Sequence, residues 1–168
     1  MISLKFKKEE ISVNPADKNR ESHRRGVWIA FNENIGFNVT TTKPISYENH
    51  CKWWEKAFDK EYIYVVLFNE DVCGYIRLTK KGEHPKRIYE ISIAIFRKLQ
   101  NSGIGSFAYK LFEKKIKKRN ISKIVAKVHP DNLQAQKFFI KNGFKQTGKT
   151  FYQKESSQTD YFLFEKNF

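Results

Sequence analysis

The chain has 168 residues, of which 40% are hydrophobic and 15% aromatic, so it can bury one core and is too apolar for an intrinsically disordered protein. Its 32 lysines and arginines outnumber 18 acidic residues, and the net charge of +14 favours anionic partners without identifying one. The longest apolar run, residues 62–68, is far shorter than the roughly 20 residues that a membrane helix needs.

The N-terminus and the cysteines bear on where the chain works. Residues 1–10 alternate apolar and charged side chains instead of forming the apolar stretch of a secretory signal. Cys51 and Cys73 have neither C-x-x-C spacing nor a matching histidine cluster. We therefore expect a cytoplasmic protein with one domain over residues 1–168, reduced thiols, no metal and no membrane partner.

The first third of the chain has the weakest secondary-structure signals. Residues 3–9 alternate in a way that predicts a strand, whereas residues 14–25 are polar, contain Pro15 and predict a loop or a weakly amphipathic helix. Ser46 is placed to cap a helix over residues 47–58, in which Trp53 and Trp54 belong to an aromatic stripe.

The remaining elements follow clearer periodicities. The pattern predicts a hairpin of strands 62–68 and 72–79, a strand 87–96, a helix 106–118, a strand 121–129, a helix opened by Pro130 and Asp131 and ended at Gly143, and strands 144–152 and 160–165. This order indicates a mixed α/β fold with six or seven mostly antiparallel strands, a central parallel crossover and about four helices. A ligand would bind at the crossover.

Glycines lie in the turn before the helix at Ser106. The hexapeptide Gln100-Asn101-Ser102-Gly103-Ile104-Gly105 would let backbone amides approach an anion closely, at a helix end where the dipole is positive. It lacks the lysine and spacing of a P-loop and the G-x-G-x-x-G dinucleotide fingerprint. The turn therefore predicts a phosphate site, although an ordinary strand-to-helix turn would look similar.

Two motifs in order carry a family resemblance. Ile93-Ala94-Ile95 precedes Gln100-x-x-Gly103-x-Gly105, and Asn132-x-x-Ala135-x-x-x-Phe139-x-x-x-Gly143-Phe144 follows. Over residues 87–144 the chain thus resembles the GNAT superfamily of acetyl-CoA-dependent N-acetyltransferases. The resemblance implies a GNAT-like fold with acetyl-CoA as co-substrate and direct acetyl transfer to a primary amine in a ternary complex.

The resemblance also implies which residues hold the cofactor. The pyrophosphate would lie on the glycine turn, and the edge of the strand at Ile93 and Ile95 would bind the pantetheine arm. The predicted cofactor-binding residues are Ile93, Ile95, Gln100, Asn101, Ser102, Gly103, Ile104, Gly105, Ser106, Asn132, Phe138 and Phe139.

Candidate catalytic groups are few. Glu90, on the polar face of the Ile-rich strand, is the candidate general base, with a solvent-facing strand carboxylate as the alternative. The family often places a tyrosine at the position of Phe139 to protonate the departing thiolate, and phenylalanine cannot do this. Tyr152 is the candidate substitute. A lone histidine beside a proline is usually structural, so His129 is left out of the site.

A second, looser resemblance concerns the acceptor. Ile45-Ser46-x-Glu48-x-His50-x-x-Trp53-Trp54 and the segment from Gly74 to Leu78 resemble the GNAT branch that acetylates nucleotide-linked amino sugars, as in the pseudaminic-acid pathway. The chain departs from that branch at residues 31–33. The resemblance and the basic side chains together predict an anionic nucleotide-linked amino sugar as substrate, bound by His50, Trp53, Arg77, Thr79 and Lys80.

Alternatives remain open at this point. An N-terminal protein acetyltransferase would need a cleft that admits an extended peptide. The basic run from Lys114 to Arg119 allows a nucleic-acid-binding module, although the absence of interleaved aromatic residues from the run disfavours such binding. Phe139 also allows a GNAT fold that binds acyl-CoA without turnover, and a homodimer is compatible with the sequence.

Overall fold

The computed structural model describes residues 6–37, 43–82, 87–154 and 157–168, and for residues 152–154 and 157 the backbone alone. Within these ranges, seven strands form one sheet in the order β1-β2-β3-β4-β5-β7-β6. The strands are β1 Ile11–Pro15, β2 Glu61–Phe68, β3 Asp71–Lys81, β4 Ile88–Ile95, β5 Lys123–Val128, β6 Lys145–Lys154 and β7 Ser157–Asn167. The helices are α1 Glu21–Glu33, α2 Tyr47–Ala57, α3 Ile104–Ile116 and α4 Leu133–Lys141.

The sheet topology confirms the predicted fold class. Strands β4 and β5 pair in parallel, and the other neighbouring strands pair antiparallel. The helix α3 connects β4 to β5, as a parallel crossover requires. Among the described residues, no helix is long and apolar enough to cross a membrane.

The N-terminal third differs from the prediction. A strand over residues 3–9 is wrong where the structure describes that range, because Lys8–Glu10 form a 3-10 turn and the first strand is β1, paired with β2. Residues 3–5 lie outside the described residues. The polar stretch read as a loop or weak helix leads into the full helix α1, which begins at Glu21.

Packing explains why α1 forms despite its weak pattern. Its buried residues are His23, Gly26, Val27 and Ala30, so the apolar stripe is narrow. A Cβ at Gly26 would lie 2.3 Å from Val72 Cγ1 on β3. The helix backbone therefore lies directly on the sheet, and tertiary burial compensates for low propensity.

Two smaller corrections concern helix starts. The helix α4 is capped by Asn132, whose Oδ1 accepts from the Ala135 amide at 3.0 Å, so the helix begins after the Pro130 and Asp131 that were predicted to open it. The helix α3 begins at Ile104, two residues earlier than predicted. Gly105 and Ser106 therefore belong to its first turn. Ser46 caps α2 as predicted, through a 3.2 Å bond from the Asn49 amide.

The core has two clusters. One involves α3 and the neighbouring strands, with Phe112, Tyr109 and Phe164 fully buried. The other lies between α1, α2 and the sheet, with Trp54 and Ala30 at 0% exposure.

The parallel pair β4–β5 is short. Its register runs from Ile88↔Lys123 to Glu90↔Val125, whereas β4 continues to Ile95 and β5 to Val128. The two strands therefore separate beyond Glu90, at the centre of the sheet.

Candidate active site

A cleft of about 950 Å³ opens where β4 and β5 separate. Its walls are residues 91–95 of β4, the glycine turn and first turn of α3, the end of β5 and the inner side of α4. Because the pairing of β4 with its parallel partner ends at Glu90, that edge of β4 can bind an extended ligand up to Ile95, whose carbonyl already accepts from the side-chain amides of Asn34 and Gln100.

The glycine turn has the geometry of an anion site. Gly103, the N-cap of α3, has φ of +92°, a conformation that favours glycine. The first backbone bond of the helix runs from the Phe107 amide to the Gly103 carbonyl, so the amides of Gly105 and Ser106 precede it. These amides and the helix dipole favour a phosphate in the cleft.

Gly105 supplies an independent indication that a ligand approaches here. A Cβ at this position would meet Ile95 Cγ1 at 3.5 Å and Phe138 at 3.8 Å, which are ordinary contacts. The protein itself therefore leaves room for a side chain at Gly105. A glycine that faces the cleft fits a site where a ligand comes close to the backbone. The residues present thus fit the pyrophosphate of acetyl-CoA.

Several side chains of the turn build the turn itself. The Gln100 amide donates to Asn34 Oδ1 at 2.8 Å and to the Ile95 carbonyl at 3.0 Å. The Ser102 hydroxyl donates to the Leu99 carbonyl at 2.6 Å. These bonds join the end of α1, the end of β4 and the glycine turn.

The other predicted cofactor residues divide between the cleft and the core. Ile104 is fully buried in the core, whereas the cleft is lined by Ile93, Ile95, Gln100, Asn101, Ser102, Gly103, Gly105, Ser106, Asn132, Phe138 and Phe139. Phe139 is 5% exposed and packs against Phe144 and Phe164. Its apolar ring supplies no proton donor.

Glu90 lies in the cleft at the point where the strands separate. Its Oε2 is 2.8 Å from Lys81 Nζ and 3.2 Å from Lys127 Nζ. Desolvation alone would raise the pKa of Glu90, but the two lysines outweigh it and hold the pKa below its ordinary value. The carboxylate is therefore ionised and can accept a proton, although the lysines weaken it as a base.

Of the predicted acceptor residues, Arg77 lines the cleft. Its guanidinium carbon lies 5.5 Å from the Trp53 ring centroid, and its Nη1 lies 3.7 Å from Glu61 Oε2. Trp53 therefore packs against Arg77 and does not line the cleft itself. Thr79 bonds to Glu61 at 3.2 Å, Lys80 is exposed, and neither lines the cleft.

His50 is also remote from the cleft. It is 2% exposed, and its Nε2 donates to the Arg24 carbonyl at 3.0 Å across the α1–α2 packing. Burial lowers its pKa to about 4, so the ring is neutral at pH 7. The structure thus places His50 in a packing layer, with Trp53, Trp54 and Tyr47 around it.

For Tyr152, the structure describes the backbone, which lies in β6 opposite Thr159. Its side chain lies outside the described residues, so its catalytic role stays a prediction. The two cysteines are free. Cys73 is buried, and this raises the pKa of its thiol to about 12, which makes it unreactive.

Two titratable cleft residues at the end of β5 lie outside the predicted site. Lys127 and His129 alternate along the end of β5, and both line the cleft. Their period-two spacing could have placed them on one face, but it does not say which face. Only the separation of β4 from β5 shows that this face is open.

Comparisons with known proteins agree with the geometry. Residues 31–144 match the model of the acetyltransferase (GNAT) family. An N-acetyltransferase from Staphylococcus aureus Mu50 is 22% identical with a TM-score of 0.76, and the match covers 94% of this chain and 98% of that one. None of the curated proteins compared matches the chain.

Two further solved structures carry the cofactor. RimL, a ribosomal L7/L12 alpha-N-protein acetyltransferase in complex with coenzyme A, is 15% identical with a TM-score of 0.77, covering 94% of each chain. The yncA structure from Salmonella typhimurium with acetyl-CoA is 15% identical with a TM-score of 0.76, covering 94% of this chain and 93% of that one. At such identities the likeness shows the fold.

The family match covers well over half of the sequence, and it includes β4, the glycine turn and α4, which form the cleft. The prediction of an N-acetyltransferase is therefore confirmed at the level of the family. On these grounds, the chain belongs to the acetyltransferase (GNAT) family.

Proposed function

We propose that this chain transfers an acetyl group from acetyl-CoA to the primary amine of a nucleotide-linked amino sugar, by direct attack in a ternary complex. One observation carries the transfer itself. The parallel pairing ends at Glu90↔Val125, and the resulting cleft runs from an ionised carboxylate to the glycine turn of α3. A ligand with a phosphate end and a reactive end matches a cleft with these two ends.

The cofactor half of the cleft is built from backbone. The amides of Gly105 and Ser106 would hold the pyrophosphate, and the free edge of β4 at residues 91–95 would hold the pantetheine arm. Acetyl-CoA, when bound, supplies an activated acyl group. A β4 amide aimed at the acyl oxygen would stabilise the negative charge that develops there during attack.

Glu90 would receive the proton that the amine loses. Its pKa is held low by Lys81 and Lys127, so it serves best through a cleft water or late in the attack, when the nitrogen has become acidic. An amine of modest basicity suits such a site because more of it is neutral at pH 7.

Positive charge near Glu90 supports an anionic acceptor. Arg77 and Lys127 both line the cleft. The Nε of Arg77 is buried and has no hydrogen-bond partner among the described residues, which is costly for a guanidinium. A diphosphate placed beside Arg77 would pair with this charge.

A second candidate is a protein N-terminal acetyltransferase, which the likeness to RimL supports. The two candidates differ in the acceptor, not in the cofactor half. A peptide acceptor would lie extended in the cleft and would not require a diphosphate next to Arg77.

The test is acetyl-CoA turnover, followed as free thiol release, across nucleotide-linked amino sugars and peptides with different N-terminal residues. We expect release with at least one nucleotide-linked amino sugar and a slower rate with the same sugar lacking the nucleotide. Turnover on peptides alone would assign the second candidate. Calorimetric binding of acetyl-CoA without turnover on any amine would indicate a protein that binds acetyl-CoA but does not catalyse the transfer.

The nucleic-acid alternative has its own test. Mobility shifts of short DNA and RNA are measured as salt is raised, because binding through phosphates alone weakens steeply with salt. We expect any shift to disappear near physiological salt. Retention there would favour a nucleic-acid-binding module.

A further inference from the structure

His129 follows β5 directly and lines the cleft. Its ring lies between two aromatic side chains, 5.6 Å from the centroid of Phe37 and 5.8 Å from that of Tyr161. These two contacts restrict the orientation of the imidazole, which forms part of the cleft wall.

The hydrogen bonds of the ring determine its tautomer. Nδ1 lies 3.2 Å from the backbone nitrogen of Asp131, which can only donate. Nδ1 therefore accepts this bond. The Asp131 carboxylate, with Oδ2 at 3.7 Å from Nδ1, lies beyond hydrogen-bond distance, so the neutral ring carries its proton on Nε2. Nε2 has no hydrogen-bond partner among the described residues. The neutral ring thus offers a donor to the cleft, not a lone pair.

The order of residues along the cleft locates this donor. Lys127 precedes His129 on β5 and pairs with Glu90 at 3.2 Å, at the acceptor end. Because β5 runs parallel to β4, the residues after Val125, His129 among them, lie on the glycine-turn side of the Glu90↔Val125 pair. Phe138, which follows in α4, lies beside the first turn of α3, since a Cβ at Gly105 would be 3.8 Å from its ring. His129 therefore lies between the carboxylate end and the cofactor end. In an acyl thioester spanning these ends, the sulfur is on the cofactor side of the acyl carbon.

We propose that the Nε2–H of His129 donates a hydrogen bond to the thioester sulfur and stabilises the coenzyme A thiolate as it leaves. The amine nitrogen bonds to the acyl carbon, the carbon–sulfur bond breaks, and its electron pair passes to the sulfur. The imidazole keeps its proton throughout. The proton lost by the amine leaves through Glu90 and water. His129 thus takes over charge stabilisation that Phe139 cannot provide.

This inference rests on the proposed use of acetyl-CoA, and its test does not depend on turnover. The probe is coenzyme A bound to the protein, with the ultraviolet absorbance of its thiolate recorded against pH. The desulfo analogue of coenzyme A, which has no thiol, supplies the baseline. A donor to the thiolate lowers the pKa of the bound thiol, so at a pH below that pKa the thiolate fraction rises.

We expect about tenfold more thiolate in the wild-type complex than in His129→Phe, which keeps an aromatic ring between Phe37 and Tyr161. His129→Gln, whose amide can place a donor near the position of Nε2, should restore part of the effect. Lys127 is present in all three proteins, so its charge cancels in the comparison. We also expect kcat to fall at least tenfold in His129→Phe, with the Kd for coenzyme A unchanged.

The experiments distinguish failure of this inference from failure of the proposed function. Absence of calorimetric binding of coenzyme A to the wild type would overturn both. Binding with identical thiol titration in the wild type and His129→Phe would overturn the role of His129 alone. If His129→Phe does not fold, His129→Ala takes its place in the same titration.

Discussion

Two histidines lie among aromatic rings in this protein, and their surroundings give them opposite properties. His50, in the α1–α2 packing layer, donates from Nε2 to the Arg24 carbonyl and is 2% exposed. His129, in the cleft, accepts at Nδ1, and its Nε2 has no hydrogen-bond partner in the part of the chain that the structure describes. The difference does not come from residue type. It comes from whether neighbouring elements close over the ring, as α1 does, or separate beside it, as β4 and β5 do.

The largest expected effect is a loss of stability in the packing layer. Trp54 is fully buried, and its indole nitrogen donates to the Lys18 carbonyl at 2.9 Å. Trp54→Ala should lower the free energy of unfolding by about 3–5 kcal/mol, measured by denaturant titration, without changing the Kd for acetyl-CoA of the folded protein. Trp53→Ala, at the half-buried neighbour, is the matched control and should cost less. Equal losses of unfolding free energy in the two variants would contradict the greater contribution assigned to Trp54.

The next effect is the pH dependence of the same layer. The pKa of His50 is lowered from 6.5 to about 4 in the folded protein, so the unfolded chain binds more protons between these values. The stability contribution of His50 is therefore complete above pH 6.5 and is lost as the pH falls to 4, by about 3 kcal/mol.

The variant His50→Gln keeps a donor to Arg24 but does not titrate. Its unfolding free energy should fall less over this pH range than that of the wild type. His23, whose pKa is also lowered by burial, remains in both proteins and cancels in the difference. If the unfolding free energies of the wild type and His50→Gln change in parallel with pH, His50 is not the titrating group.

In the cleft, the expected effect is on rate. Glu90→Gln should lower kcat by about 100-fold, as loss of a proton acceptor commonly does, with the Kd for acetyl-CoA nearly unchanged. Glu165→Gln is the matched control, because Glu165 also pairs with a lysine, Lys123 at 3.1 Å, and does not line the cleft. Equal rates in the two variants would remove Glu90 from catalysis.

The smallest expected effect is a loss of acetyl-CoA affinity that occurs without a loss of folding stability. Gly105→Ala should weaken acetyl-CoA binding by about tenfold, or about 1.4 kcal/mol, measured by calorimetry. The same change should leave the protein at least as stable, because alanine favours a helix and meets no close neighbour. Gly103→Val is less informative, since its positive φ would strain any side chain.

Gly148→Ala is the matched control, at a glycine with nothing within 4 Å of its Cβ. Its affinity for acetyl-CoA should equal that of the wild type. Unchanged affinity in Gly105→Ala as well would mean that no ligand approaches the first turn of α3.

Much of the fold was accessible from local patterns. The apolar stripes of α2 and α3 and the alternation in β4 depend on residues close in the chain, so their spacing predicts them. The helix α1 was predicted only as a loop or a weakly amphipathic helix over residues 14–25, because the strand on which it packs, β3 with Val72, is distant in the chain. The first strand was misplaced for a similar reason, since its register is set by pairing with β2.

The candidate site divides in the same way. The glycine turn was found because backbone conformation and a helix start are local properties, written in Gly103 and Gly105. The acceptor residues were found less well. Arg77 lines the cleft and His50 does not, although both had the right chemistry.

The amino-acid order thus indicated the family, the crossover and the glycine turn, because the motifs, helices and strands that predict them follow local patterns. It did not specify which side chains share the cleft, because that depends on where β4 parts from β5 and on which helix covers each face. Those are contacts between distant segments, and they made His129 a wall of the site and His50 part of the packing.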